Sequence, residues 1–316
     1  MITIIITSYK EAKTIGQAIK AVCDPIYSGF SDALELITVI PDQATITAAA
    51  AAIQNFSKIK YLNIRDPLKG KPYALNLALR RAKGEIIVLT DGDVYFEAFA
   101  LKKLLDKLEK NPEAAAVTGR PIAADPKTDL WRYIGNLLAD AAHHKRMATM
   151  TSDATGKSLK LVSRTPNFFV LSGYILAFRK ISLQLPVDCL VEDAYLSYVL
   201  FNQGHALLYE PQAQIKVKYP LNIRDWYAQK LRSVGGYLQL WKYGVIKKDT
   251  KVRNFWKELE YFWFPIKYAT NLKELIWSLE LYPLRLWLWI RIFIQQRILK
   301  TDLIGKTGWQ RIESTK

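Results

Sequence analysis

An α/β fold, with a mostly parallel central sheet and flanking helices, follows from three features of the 316-residue chain. β-branched apolar runs alternate with helix-period segments through the first half, each run is the length of one buried strand, and acidic residues stand where runs stop. Ile2–Thr7 is the first strand; a polar turn, Ser8-Tyr9-Lys10-Glu11, leads into a helix carried by Ile15, Ile19 and Val22. Leu34–Ile40 is the second strand, ended by Pro41-Asp42, and an Ala-rich helix follows over about 46–56. Tyr61–Ile64 is the third strand, and Pro72–Ala82 is helical and stopped by Gly84. Glu85–Thr90 is the fourth strand, and Ala98–Lys110 is an amphipathic helix closed by Asn111-Pro112. Such right-handed βαβ units bind ligands beyond the carboxyl ends of their strands.

The length allows one large domain or two smaller ones. With half its residues hydrophobic and only 15 Gly, the chain is neither disordered nor collagen-like. Cys23 and Cys189 are too few for a disulfide framework or a Cys-based zinc site, which fits a reducing compartment or thiols without a role. The first residues lack a charged segment and form a buried strand rather than a signal peptide. The formal charge of +16 is uneven: residues 1–215 carry a net +4, and residues 216–316, with 20 basic and 8 acidic side chains, a net +12. Trp226, Trp241, Trp256, Trp263, Trp277, Trp287, Trp289 and Trp309, eight of the nine Trp, lie in that last third. Such a surface suits nucleic acid, anionic lipid or an anionic substrate.

Chemistry is to be sought at the strand ends. Asp91-Gly92-Asp93 closes the fourth strand, and two carboxylates one residue apart suit a hard cation such as Mg²⁺ or Mn²⁺ that keeps substrate phosphates in its shell. Taken alone, the motif is better read as a polar turn. Asp42 has the same two readings. Lys69-Gly70-Lys71 places two ammonium groups and a helix start near the same edge, but without the glycine spacing of a P-loop. Glu192-Asp193 opens a helix, where two carboxylates also complement the helix dipole. His143-His144-Lys145-Arg146 is read as a solvated basic patch, and His205 as a turn residue.

The order of these motifs resembles a family 2 glycosyltransferase with the GT-A fold, from Met1 to about Leu240. The resemblance is carried by Ile4-Ile5-Ile6-Thr7-Ser8-Tyr9-Lys10-Glu11, by Gly70-Lys71-Pro72-Tyr73-Ala74-Leu75-Asn76 with Ala82-Lys83-Gly84-Glu85-Ile86-Ile87, and by Asp91-Gly92-Asp93. Val117-Thr118-Gly119, Ser172-Gly173-Tyr174 with Phe178-Arg179, Glu192-Asp193 and Gln229-Lys230-Leu231-Arg232-Ser233 follow in the family's order, the last being similar to the Gln-x-x-Arg-Trp signature of cellulose- and hyaluronan-synthase-like members. The resemblance implies a nucleotide-sugar donor bound by Thr7, Tyr9, Glu11, Asp42, Lys71 and Asp91, with UDP-sugars the family default and GDP-linked donors also used. It implies Mg²⁺ or Mn²⁺ on Asp91 and Asp93, Asp193 as general base, and Glu192, Gln229 and Arg232 near the acceptor or diphosphate. Transfer would invert the anomeric carbon by direct displacement. Ser233 replaces the family's aromatic, which counts against processive synthesis, whereas Gln229 and Arg232 count for it.

The tail sets the expected location. No stretch reaches the ~18–20 apolar residues of a spanning helix, because Glu258, Glu260, Lys267, Lys273, Glu274, Glu280, Arg285, Arg291 and Arg297 interrupt it. The spanning helices of polysaccharide synthases are therefore expected to be missing. Leu284–Ile294, apolar at nearly every position, is expected to be helical, although its strict alternation also suits a strand. Trp263, Trp277, Trp287, Trp289, Arg285 and Arg291 have the composition of a membrane interface; a Trp-rich core with a basic outer face is the competing reading. The expected division is a catalytic domain over residues 1–240 and basic interfacial helices over 241–316, peripheral on the cytoplasmic face of a membrane and acting on a lipid-linked or glycan acceptor. A nucleotidyltransferase would show a Gly-rich loop after the first strand, which is absent. A nucleic-acid binder fits the basic, aromatic composition but leaves the acidic strand ends without a reason, so no nucleic acid is expected.

Overall fold

The run Ile2–Thr7 forms β1 and Leu34–Ile40 forms β2, and every residue of both is buried. Strands covered on both faces belong at the middle of a sheet. The structure, a computed structural model, describes residues 1–29, 34–151, 168–246, 261–295 and 313–315; Trp256, Trp309, Glu258, Glu260, Arg297 and most of the polar stretch 149–158 lie outside them. With β3 (Lys60–Arg65), β4 (Ile86–Asp91), β5 (Tyr95–Phe96), β6 (Ala114–Ala123), β7 (Leu176–Arg179) and β8 (Ala206–Val217), the sheet has the order β3-β2-β1-β4-β7-β6-β8-β5.

The pairs β1–β2, β1–β4 and β2–β3 are parallel. Their connections are α1 (Ile15–Cys23) with the short α2 (Pro25–Ser28), then α3 (Gln43–Ile53) and α4 (Lys71–Arg81). The other half makes the sheet mixed, since β7 runs antiparallel to β4 and β6, and β5 antiparallel to β8. The parallel expectation rested on the first 110 residues, where helices of crossover length follow the strands. The helix α3 begins three residues earlier than its Ala-rich pattern suggests because Asp42 caps it, accepting the Thr45 N–H at 3.0 Å and the Thr45 hydroxyl at 2.7 Å.

Among the described residues the remaining helices are α5 (Ala100–Glu109), α6 (Leu130–Thr151), α7 (Glu192–Asn202), α8 (Ile223–Lys242), α9 (Phe264–Tyr268) and α10 (Leu272–Phe293), with a 3₁₀ turn at Glu313–Thr315. The chain forms two compact units, Met1–Ile122 with His143–Val217, and Ala123–Ala142 with Lys218–Lys316. The first holds the sheet, around a core that includes Ile5, Ile37, Ile87, Phe178, Leu200 and Tyr209. The second is helical, and its core joins Tyr133, Ile134 and Leu137 of α6 to Trp226 and Leu231 of α8 and Leu281, Leu288 and Ile292 of α10. This grouping differs from the expected boundary at residue 240: the apolar face of α8 packs with the C-terminal helices, and the start of α6 joins them.

Helix α10 is helical as expected, capped by Asn271, whose side chain accepts the Glu274 N–H at 3.0 Å. Tyr133 and Ser278 bond at 2.7 Å through their hydroxyls, and Tyr268 donates to Asp140 at 2.8 Å, so these two tyrosine hydroxyls are paired. Trp277 packs tilted against Tyr133, 5.5 Å between ring centroids, and Trp289 packs against the same core. Of the six side chains expected at an interface, Trp277 and Trp289 thus turn inward. Helical periodicity puts 277, 281, 284, 288 and 292 on one face. Trp263, Trp287 and Arg291 are exposed, and Arg285 is half-buried.

Candidate active site

Parallel register places Thr7 of β1 beside Asp91 of β4, and the Thr7 hydroxyl donates to Asp91 Oδ1 at 2.7 Å. The Gly92 N–H then donates to the Thr7 carbonyl at 3.0 Å, folding the turn back over β1. A Cβ on Gly92 would strike Ser8 Oγ and lie 2.7 Å from Glu11 Oε2, so only glycine fits. Glu11 is buried and accepts the Ser8 hydroxyl at 2.7 Å, which makes it a support of the turn.

Lys71 opens α4 just after Gly70, whose φ of 97° is a glycine conformation. Its ammonium lies 2.8 Å from both carboxylate oxygens of Asp91 and 3.1 Å from Glu192 Oε1. Burial alone would lower the Lys71 pKa, but these two carboxylates outweigh it and hold the ammonium above its ordinary value. One lysine thus ties the end of β4 to the start of α7, a pairing that sequence spacing did not reveal.

Asp193 sits beside this pair. Its Oδ2 accepts the Gly173 N–H at 3.2 Å and its Oδ1 the Ala194 N–H at 2.7 Å. Burial is the largest influence and raises its pKa, with Glu192 adding to the rise; the two N–H groups and Lys71 oppose but do not cancel it. Asp193, Glu192, Lys71, Gly173 and Thr90 line one small pocket with apolar walls from Leu75, Leu176 and Leu183.

Residues given no site role by the sequence hold that arrangement. The Ser197 hydroxyl donates to the Asp193 carbonyl at 2.6 Å and accepts the Leu171 N–H at 3.0 Å. Thr118 donates to the Ile175 carbonyl at 2.6 Å and accepts the Ser172 N–H at 2.9 Å, so the loop carrying Gly173 is fixed on both sides. Asn76 and Leu185 exchange two hydrogen bonds, at 2.8 and 2.9 Å. A serine four residues into a helix after a carboxylate is a usable signal for such back-bonding; the Thr118 and Asn76 partners lie too far along the chain to be read.

The other expected residues are placed as follows. Asp42 Oδ2 accepts the Lys10 N–H at 2.8 Å; burial would raise its pKa, but that bond and those from Thr45 outweigh it and hold the carboxyl below its ordinary value. Tyr9 is half-buried, with the Lys10 ammonium 5.3 Å from its ring centre. Gln229 and Arg232 are half-buried and one turn apart on α8, in the helical unit. His143 is half-buried rather than solvated, its Nδ1 lying 2.8 Å from the Tyr209 hydroxyl, whereas His144 is exposed. His205 occupies the turn after α7. Burial pushes the Cys23 and Cys189 thiols up to about 12, which leaves both inert.

Among the described residues, no three His, Cys, Asp or Glu side chains converge as a metal cage. Asp91 and Asp93, on the two sides of Gly92, still fit Mg²⁺ or Mn²⁺, which take one or two carboxylates and complete their shell with phosphate oxygens and water.

The mixed sheet, with carboxylates and a lysine at its strand ends, has the architecture of the GT-A fold. The chain belongs to glycosyl transferase family 2, which residues 3–184 match. It is 22% identical over 267 residues to the poly-beta-1,6-N-acetyl-D-glucosamine synthase of Staphylococcus epidermidis, covering 82% of this chain and 57% of that protein. It is 25% identical over 248 residues to the probable glycosyltransferase YdaM of Bacillus subtilis, covering 74% of this chain and 54% of that one. The chain thus spans a little over half the length of these relatives. A mannosyltransferase from Pyrobaculum calidifontis, solved with GDP-Man and Mn²⁺, superposes with a TM-score of 0.60 at 20% identity, covering 96% of this chain and 87% of that one; at that identity the likeness is one of fold.

Proposed function

We propose that this glycosyltransferase moves a sugar from a nucleotide-sugar donor to a hydroxyl of a lipid-linked or glycan acceptor, with inversion and with Mg²⁺ or Mn²⁺. The observation that carries this reading is the meeting of Asp91, Lys71, Glu192 and Asp193 at one sheet edge. Asp91 and Asp93 would hold the ion, which supplies positive charge to the leaving diphosphate. Lys71, in the first turn of α4, contributes a further cation where a helix N-terminus already favours phosphate. Asp193, fixed by two N–H groups and with its pKa raised, accepts the proton of the attacking hydroxyl. The base and the metal carboxylates do different work, unlike the paired carboxylates of a glycosidase.

A screen of UDP- and GDP-sugars with Mn²⁺ or Mg²⁺, scored by released nucleoside diphosphate, tests the reading. It should include N-acetylglucosamine and mannose donors, the sugars in the names of relatives. Asp93→Asn and Asp193→Asn should slow release strongly; wild-type rates in both would overturn the assignment. A processive synthase is the second reading, supported by the polymer-making relatives, and product length separates it from single addition.

The proposed location is a membrane surface on its cytoplasmic face. Support comes from α10, where Leu272, Ile276, Leu279, Pro283, Leu286, Ile290 and Phe293 recur at alternating spacings of four and three and are all exposed. Trp263 is 62% exposed, and the Arg291 guanidinium lies over the Trp287 ring at 5.7 Å. An apolar stripe edged by Trp and cations suits a headgroup layer. Among the described residues, no helix is long and apolar enough to cross a membrane. Failure of the full chain to co-sediment with anionic liposomes at physiological salt would overturn this part.

A further inference from the structure

The ion pair at the centre of the site has a consequence for how the metal arrives. Lys71 does not merely stand near Asp91: its ammonium lies 2.8 Å from each carboxylate oxygen, where an ion chelated by that carboxylate would compete for the same lone pairs. Asp91 Oδ1 also accepts the Thr7 hydroxyl. The three side chains are shielded, with Lys71 16%, Asp91 18% and Glu192 15% exposed, so water screens their charges weakly. A divalent ion added alone would meet a fixed positive charge and two oxygens already engaged.

We infer that Lys71 is a built-in counter-cation that blocks Asp91 until a nucleoside diphosphate draws it away, so that metal binds together with the diphosphate rather than ahead of it. This rests on the donor-site reading of Asp91 and Asp93. The chemistry of the side chain suits the exchange. A lysine carries a compact charge on a flexible four-carbon stem, and Lys71 is rooted in the first turn of α4, where backbone N–H groups also attract an anion. When the diphosphate offers oxygens to Lys71, the ammonium can leave Asp91 without losing a negative partner. Asp91 is then released to the ion that the diphosphate brings. Glu192 keeps the ammonium near the site in the donor-free state.

Mn²⁺ binding to the full chain, followed by the electron paramagnetic resonance of free Mn²⁺ and by calorimetry, tests this with and without UDP or GDP. The wild type should bind Mn²⁺ alone at least about ten-fold more weakly than with the preferred diphosphate. Lys71→Met should bind Mn²⁺ alone about ten-fold more tightly than the wild type, and Lys71→Arg should stay like the wild type. The double variant Lys71→Met/Glu192→Gln leaves the summed charge of Lys71, Asp91 and Glu192 unchanged, and it guards against misfolding from an unpaired Glu192. It should keep the tighter Mn²⁺ binding. The inference is overturned if Lys71→Met binds Mn²⁺ no more tightly than the wild type, or if the gain vanishes in the double variant, which would make it an effect of net charge. If the wild type takes up no Mn²⁺ even with UDP or GDP, the donor-site reading itself fails, and the inference with it.

Discussion

Asp193 shows how far residue-level chemistry could be read. Its proposed role as base came from its place in an ordered series of motifs, but its environment came from residues far along the chain: Gly173, which donates to it, and Lys71, whose charge opposes the rise in its pKa. Because burial and Glu192 raise its pKa, its folded form is stabilised with the proton on. That contribution is complete below the ordinary carboxylate pKa of about 3.9 and is lost as pH rises through the raised value. Activity should change oppositely, since the base must be ionised. The acid limb of kcat/KM against pH is therefore expected above the ordinary carboxylate range, and Asp193→Asn should lower kcat by roughly 10²–10⁴-fold and remove that limb. A limb at the ordinary value would contradict the burial argument. At Gly92 the constraint is steric. Gly92→Ala must displace Ser8 and Glu11, costing about 1–3 kcal/mol by denaturant unfolding, and it should weaken donor binding because the turn carries Asp91 and Asp93.

At the scale of elements, the first four strands were legible because burial leaves a period and a length in the sequence, whereas β5 to β8, in the mixed half of the sheet, were not assigned. The start of α3 was not legible either, since the Ala-rich run hides where the helix begins and Asp42 decides it. Helix α10 was ambiguous in the same way. Its apolar residues cover more than one face, and only packing assigns Leu281, Leu288 and Ile292 to the core and Leu279, Leu286 and Ile290 to the outside. Two substitutions two residues apart separate these roles. Leu288→Asp buries a charge and should lower the melting temperature sharply. Leu286→Asp lies at a 51% exposed position and should change stability by no more than about 0.5 kcal/mol, with little shift in melting temperature, while reducing liposome co-sedimentation. Equal melting losses in both would mean that the outer stripe is not a free surface.

For the whole molecule, the charge split places a net +12 on residues 216–316, nearly all of which fall in the helical unit. If this charge serves attachment, binding to anionic vesicles should weaken as salt rises and the Debye length falls from about 10 Å at 0.1 M toward 3 Å at 1 M, whereas binding to neutral vesicles should depend little on salt. A salt-independent affinity for anionic vesicles would assign attachment to the apolar stripe alone. Length, charge asymmetry, the alternation of strands and helices, and the order of acidic motifs were all available from local composition and spacing. Those features suffice for an α/β fold with carboxylates at its strand ends, and the resemblance of the ordered motifs to a known family added the transferase expectation. Folding decided what spacing cannot encode: that Lys71 joins Asp91 to Glu192, that Ser197 and Thr118 fix the loop beside Asp193, that α8 packs with the C-terminal helices, and which side of α10 is left uncovered. Each depends on proximity in space between residues remote in sequence, and a linear pattern carries no record of that until the chain has packed.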